Sequence, residues 1–337
     1  MSLLAAAAER APIPDAITLA TIDWLVGQTR RQLGREAMGE DAFAAAMSDY
    51  AIAEHTADAN SQHYELPPEF FALILGARRK YSCCYYPSDS TTLDDAEENA
   101  LAQTCDHADL HDGQDVLELG CGWGSLSLYM AQKYPGSRFT AVSNSHSQRQ
   151  FILSEANRLG VKNLNVVTAD MNDFASQDRF DRIVSVEMFE HMSNWQALLA
   201  RARSWLNDDG RLFLHVFTHR KHSYRFRNDG SDWIGKYFFT GGIMPAQDLP
   251  HRFPDLFEVE NEWRWSGDHY RRTAMDWLDN FDAEQGRILP ILRAVYGRQA
   301  GLWRRRWRLF FLATAGLWGH AGGAEWGVGH YRLKAVS

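Results

Sequence analysis

The stretch Val116-Leu117-Glu118-Leu119-Gly120-Cys121-Gly122-Trp123-Gly124 decides the fold. A short apolar strand runs into a turn with glycine at every second position, and Ser125 to Lys133 continues as an amphipathic helix. Glycine in such a turn permits positive φ and lets a ligand approach the backbone without meeting a Cβ. The helix start behind it offers unpaired N–H groups. The turn therefore reads as a cofactor loop.

Outward from it the alternation persists. Arg138 to Val142 predicts a second strand, Ser147 to Leu159 a helix stopped by Gly160, Leu164 to Thr168 a third strand and Arg182 to Val186 a fourth. Ser193 is the candidate cap of a helix to Leu206, with Trp195, Leu198, Leu199, Ala202 and Trp205 on its apolar face; Arg211 to Phe217 is a fifth strand. This order implies an α/β fold with a doubly wound, Rossmann-like parallel sheet and a ligand at the strands' carboxyl ends.

Upstream, residues 1–14 read as frayed. Residues 15 to about 60 carry helical periodicity, with Ile17, Ala20, Trp24 and Leu25 on one stripe and then Phe43, Met47 and Tyr50. Pro67-Pro68 breaks the chain before a short helix over 69–81, and Thr92 with Asp94, Asp95, Glu97 and Glu98 opens an acidic helix start. Downstream, the sequence turns aromatic, with Trp233, Tyr237, Phe238 and Phe239 before Gly241-Gly242. A strand over Phe257 to Trp263 and a helix over Tyr270 to Phe281 follow. Arg304, Arg305, Arg306 and Arg308 alternate with Trp303 and Trp307, which reads as a solvated helix face with aromatic core positions rather than a membrane or anion surface. The implied division is 1–80 as a helical lid and substrate cap, 81–217 as the cofactor-binding core, and 218–337 as a substrate-binding insertion that completes the core.

The chain has 337 residues, 35 Lys+Arg against 43 Asp+Glu, and a net charge of −8. Acidity argues against a protein that grips nucleic acid by phosphate neutralisation. No apolar run approaches the ~20 residues of a spanning helix, and Met1 to Ala8 lacks the basic residue of a signal peptide. Cys83, Cys84, Cys105 and Cys121 have neither disulfide-scaffold nor zinc-ribbon spacing, so a reduced, cytoplasmic setting is expected.

Two details point to S-adenosylmethionine (SAM) over NAD. Glu118 stands two residues before the first glycine, and the second strand ends in Val142-Ser143-Asn144 without the carboxylate that a dinucleotide's ribose requires. After the fourth strand comes Val186-Glu187-Met188-Phe189-Glu190-His191-Met192. On one helical turn Glu187, Glu190 and His191 would share a face. An amine attacks a sulfonium methyl only through a free lone pair. Carboxylates beside a histidine can take its proton and hold the cationic product. The bland alternative is that Glu190 and His191 merely brace the cofactor pocket. His215, His219 and His222 are spaced for a helix, but His215 lies in the fifth strand, so no metal site is expected.

From Tyr81 to about His330 the chain resembles the cyclopropane-fatty-acid-synthase-like superfamily of SAM-dependent methyltransferases. Within it the resemblance is to the coclaurine N-methyltransferase branch, which methylates benzylisoquinoline-type amines. It rests on Tyr81-Ser82-Cys83-Cys84-Tyr85, Leu117 to Gly124, Val142-Ser143-Asn144-Ser145 with Gln148, and Ala169-Asp170-Met171. It continues through Ser185 to Met192, Tyr237-Phe238-Phe239-Thr240-Gly241-Gly242 with Met244-Pro245, His269-Tyr270 and Glu325-Trp326. The resemblance implies SAM contacts at Tyr81, Ser82, Gly120, Gly122, Ser143, Asn144, Gln148, Asp170 and Met171, and catalysis at Glu187, Glu190 and His191. It also implies a substrate or anion pocket with Cys83, His215, Tyr237, Phe238 and Tyr270. The synthases carry a Thr-Leu pair in place of Ser143-Asn144, and typically Gly in place of Glu187. A carboxylate there is costly in an apolar lipid channel. Cys83, Glu190, His215 and Tyr270 nonetheless match the synthases' bicarbonate site; the last three are shared with the N-methyltransferase branch and do not decide, so it is Cys83 that keeps the lipid reading open.

The expectation is thus methyl transfer from SAM, released as S-adenosylhomocysteine (SAH), to the nitrogen of a small cyclic or aromatic amine. The alternative is methyl or methylene transfer to unsaturated acyl chains. Neither nucleic acid nor integral membrane association is expected, and a homodimer is compatible with the sequence.

Overall fold

The computed structural model describes residues 9, 13–54, 66–226 and 232–336. Most of the segment read as frayed, and the helical region beyond Glu54 as far as residue 65, lie outside the described residues.

Five parallel strands form one side of the sheet, from its β3 edge inward: β1 (Asp115–Leu119), β2 (Arg138–Ser143), β3 (Leu164–Thr168), β4 (Phe180–Val186) and β5 (Leu206–His219). β6 (Tyr224–Arg225) and β7 (Ile243–Met244) make a separate ribbon. β8 (Phe257–Ser266) and β9 (Trp326–Ala335) join the main sheet antiparallel, and its order is β3-β2-β1-β4-β5-β9-β8. β9 escaped the sequence reading because Gly327 and Gly329 interrupt its alternation. A Cβ on Gly327 would lie 2.6 Å from the Trp265 carbonyl oxygen of the neighbouring strand.

The N-terminal helices are α1 (Asp15–Glu36), α2 (Glu40–Ala46), α3 (Pro68–Ile74) and α4 (Leu93–His107). Within the core lie α5 (Ser125–Lys133), α6 (His146–Leu159) and α7 (Trp195–Trp205), followed by α8 (Trp233–Tyr237), α9 (Gly267–Ala283), α10 (Gln285–Tyr296) and α11 (Ala300–Gly319). Thr92 caps α4 by accepting the Asp95 N–H at 3.2 Å, and Gly160 ends α6 at φ +71°. α7 is capped by Asn194, not Ser193. Asn194 Oδ1 accepts the Ala197 N–H at 2.9 Å, while the Ser193 hydroxyl donates to Glu54 at 2.8 Å.

The expected stripe on α1 is overturned. Ile17 and Trp24 are exposed, and the helix packs through Leu19, Ile22, Val26 and Leu33. Both stripes have helical spacing, and the neighbour decides between them. α1 lies on α11, where Gly316 leaves room for Ile22 and Arg308 pairs with Asp15 at 2.7 Å. The arginine-rich α11 is largely interior. Trp307 is fully buried against Phe70, and Arg306 is buried and paired with Glu9 at 3.1 Å. Among the described residues no helix is long and apolar enough to cross a membrane.

Candidate active site

A cavity of about 170 Å³ opens at the carboxyl ends of β1, β2 and β4. Its lining includes all nine residues to which the resemblance assigned cofactor contacts: Tyr81, Ser82, Gly120, Gly122, Ser143, Asn144, Gln148, Asp170 and Met171. The glycine turn has the anticipated geometry. Gly120 has φ +81°, and a Cβ there would come within 2.5 Å of Met188 Cγ. The Gly120 and Cys121 N–H groups both donate to Val142 O at 3.0 Å, which ties the turn to the end of β2. Gly122 has φ +51° with open space where its Cβ would be, and Gly124 at φ +78° opens α5.

The polar atoms around the cavity suit a nucleotide-bearing ligand. The Gln148 carbonyl accepts from Ser143 Oγ at 2.6 Å, while its buried Nε2 has no hydrogen-bond partner among the described residues; the same holds for Ser125 Oγ at the start of α5. Buried donors are costly when left unpaired, so both suit the acceptors of such a ligand. Glu118 is buried against Ser127, and burial pushes its carboxyl up to about 7. Ala53 and Glu54 from the N-terminal segment complete the rim. Asn172 holds Ala53 through its Oδ1 at 3.1 Å and its Nδ2 at 2.9 Å.

A buried carboxylate positions the Tyr81-Ser82-Cys83 segment. Glu97 of α4 accepts the N–H groups of Gly76 at 3.0 Å, Arg78 at 2.6 Å and Lys80 at 3.0 Å. Its carboxyl is pushed up to about 7, because burial outweighs those bonds. Lys80 is itself buried. Its ammonium donates to Ser82 Oγ at 2.6 Å and to the Cys83 carbonyl. The sequence reading missed Lys80, since a lone lysine before a tyrosine carries no local signal.

Glu187 stands at the far wall. It is in the left-handed region at φ +47°, and its N–H donates to the His215 carbonyl at 2.8 Å. Three donors reach its carboxyl group. Oε1 accepts the Cys83 N–H at 2.9 Å and faces His215 Nε2 at 3.2 Å, and Oε2 accepts the Tyr270 hydroxyl at 2.7 Å. Burial pushes its carboxyl upward; Lys80, the Cys83 N–H, Tyr270 and His191 oppose the rise. Burial holds His215 well below the ordinary histidine range and the Tyr270 hydroxyl well above the ordinary tyrosine range, so both are neutral. The Cys83 thiol is also driven well up by burial and by Glu187, so the residue acts here through its backbone.

The cluster does not share one helical face as its spacing suggested. Phe189–His191 is a single tight turn, and Glu187 precedes it in a different conformation. Glu187 and His191 line the cavity. Glu190 is fully buried beneath it, its Oε1 accepting the Phe217 N–H at 2.6 Å and its Oε2 without a hydrogen-bond partner among the described residues. Burial and Glu187 push Glu190 well above the carboxylate range, so it is held as the neutral acid. Tyr237 and Phe238 lie apart from this cluster. Phe238 is buried against Trp307 and Phe310, and Arg306 covers the Tyr237 ring. The neighbouring Phe239, which was not assigned, packs its ring 4.3 Å from that of His191. His219 accepts the Lys221 and His222 N–H groups through Nδ1, and no metal-holding group of three or more His, Cys, Asp or Glu occurs among the described residues.

A parallel sheet with a glycine turn at its carboxyl edge, a cavity behind that turn and two antiparallel strands at one end is the class I SAM-dependent methyltransferase fold. The chain belongs to the family described as mycolic acid cyclopropane synthetase, whose model matches residues 52–314. It is 39% identical over 289 residues to (S)-coclaurine N-methyltransferase of Thalictrum flavum subsp. glaucum, covering 84% of this chain and 80% of that one. It is 32% identical over 222 residues to cyclopropane-fatty-acyl-phospholipid synthase of Escherichia coli (strain K12), covering 65% of this chain and 55% of that one. The crystal structure of coclaurine N-methyltransferase bound to N-methylheliamine and SAH superposes with a TM-score of 0.93 at 35% identity, covering 98% of each chain.

Proposed function

We propose that the protein is a SAM-dependent N-methyltransferase of a small, cyclic or aromatic, alkaloid-like amine. The observation that carries this is Glu187, a carboxyl group at the wall of the cofactor cavity held by donors from three other parts of the chain. A carboxylate has about four acceptor sites, and three are used here, which leaves one for an ammonium. SAM, when bound, supplies the methyl group as a sulfonium substituent. Glu187 holds the amine and accepts its proton, His191 faces the same space as the second acceptor, and Phe239 offers a ring face beside it. Glu190, neutral and enclosed, braces the Phe217 backbone. The named relatives support the amine: the neighbour with the 0.93 TM-score carries an N-methylated amine and SAH.

The lipid reading needs an external bicarbonate at Cys83, Glu190, His215 and Tyr270. Here the donors among them, the Cys83 N–H, His215 and the Tyr270 hydroxyl, are already engaged by Glu187. The deciding experiment incubates the purified protein with SAM against a panel of cyclic and linear amines and unsaturated phospholipid, read by mass. A methylated amine is expected. A mass gain only on acyl chains, dependent on bicarbonate, would replace this reading with the lipid one.

The segment up to residue 80 is proposed as a cap over the cofactor. Ala53 and Glu54 at the rim support it, and water must be kept from the sulfonium. Limited proteolysis within 40–54 should slow when SAH is bound; equal rates would count against the cap.

A further inference from the structure

Three histidines run in a column from Glu187 toward the surface. His215 turns its Nε2 to Glu187 Oε1 at 3.2 Å, and its Nδ1 lies 2.8 Å from His330 Nε2. The Nδ1 of His330 lies 2.7 Å from Nδ1 of His107, the last residue of α4. Strand register builds the column. His330 on β9 is the cross-strand partner of His215 on β5 and of Trp263 on β8, and the half-buried His107 ring stacks on Trp263 at 3.9 Å. His330 is fully buried against Trp265 and Phe213.

Burial lowers all three rings below the ordinary histidine range, His107 to about 4, so each is neutral at pH 7 and carries one N–H. A neutral imidazole donates through one nitrogen and accepts through the other. If His215 donates from Nε2 to a Glu187 carboxylate, its Nδ1 must accept from His330 Nε2. His330 Nδ1 must then accept from His107 Nδ1. One choice at Glu187 therefore orders every proton in the column.

We propose that His330 and His107 are positioning residues that hold His215 as an Nε2–H donor, and so support Glu187 as the carboxylate that meets the amine. This rests on the methyltransferase reading for its kinetic consequence, but not for its geometry. None of the three histidines is among the residues that line the cavity.

The test has two arms on the full chain. In the first, ¹⁵N-histidine-labelled protein at pH 7 is examined by long-range ¹H–¹⁵N correlation, with signals assigned by single substitution. Expected are Nε2–H tautomers at His215 and His330 and the less common Nδ1–H tautomer at His107. A reversed tautomer or an imidazolium at any of the three overturns the proposal, whatever the substrate proves to be. In the second, His107→Phe keeps a ring on Trp263 but removes the donor, and His107→Asn keeps a donor. His107→Phe should lower kcat by up to about tenfold, the upper scale of one hydrogen bond between neutral groups. It should also shift the pH profile of kcat while the melting temperature and SAH affinity stay near wild type, and His107→Asn should recover most of the loss. That profile also reflects Asp106 and Arg332 beside His107, and Lys80, His191, Tyr270 and Glu190 around Glu187. Equal loss of stability in both variants with kcat and profile unmoved would make the column a packing feature and overturn the positioning role. Failure to methylate any amine would remove the proposed function while the tautomers still decide the column.

Discussion

The two walls of the cavity are built by opposite means. The wall proposed to take the cofactor is made of strand ends and the loops that follow them, Gly120 to Gly124 after β1, Ser143 to Gln148 after β2 and Asp170-Met171 after β3. Each piece is local, and its work is done by backbone and small side chains. The opposite wall centres on Glu187 and draws on Cys83, His215 and Tyr270, which are 104, 28 and 83 positions away in sequence. Its work is done by buried charge and directed hydrogen bonds. The first wall should therefore fail by steric change, and the second by loss of charge or donor with the shape intact.

The largest expected effect tests that division directly. Glu187→Gln keeps the shape and removes the charge, and should lower kcat by ~10–1000-fold, at or below the ~10²–10⁴-fold that general acid–base help typically contributes. His191→Ala should act in the same direction. In both, SAH affinity by calorimetry should stay near wild type. A matching loss of SAH affinity would mean that the two walls are not separable.

Gly122→Val is the converse. It places a β-branched side chain at φ +51° and into the cavity, so SAH binding should weaken tenfold or more, about 1.4 kcal/mol. Wild-type affinity in a folded variant would break the placement of the cofactor.

A smaller effect concerns stability. Glu118 and Glu97 are both raised to about 7 from an ordinary 4.5. A carboxyl whose pKa rises on folding stabilises the fold fully below its unfolded pKa, and that contribution is lost as pH rises through the folded pKa. The cofactor-free protein should therefore melt at a lower temperature at pH 8 than at pH 5, and Glu118→Gln should flatten part of that slope. A melting temperature that rises over the same window would show that other groups dominate.

The smallest expected effect is at Cys83. Because its N–H, and not its buried thiol, meets Glu187, Cys83→Ala should leave amine methylation close to wild type. Strong sensitivity would instead favour the lipid chemistry, and would give the side chain a part that the geometry assigns to the backbone.

The sequence by itself determined the alternation of β1 to β5 and the glycine turn with the polar residues at the strand ends that line the cavity. These depend on near neighbours: φ-permissive glycines, strand-end polar residues and caps within a few positions. It also singled out Glu187, Glu190 and His191, because three ionisable residues after a buried strand are unusual at any spacing. Only the tertiary structure decided that Glu190 is sealed beneath the site, that Phe239 rather than Tyr237 or Phe238 meets His191, and that α1 turns Ile17 and Trp24 outward. The same holds for Lys80 and for the His215–His330–His107 column, which exists because β9 lies between β5 and β8 in one register. Burial and pairing between distant segments set those outcomes, and neither is encoded in the spacing of residues along the chain.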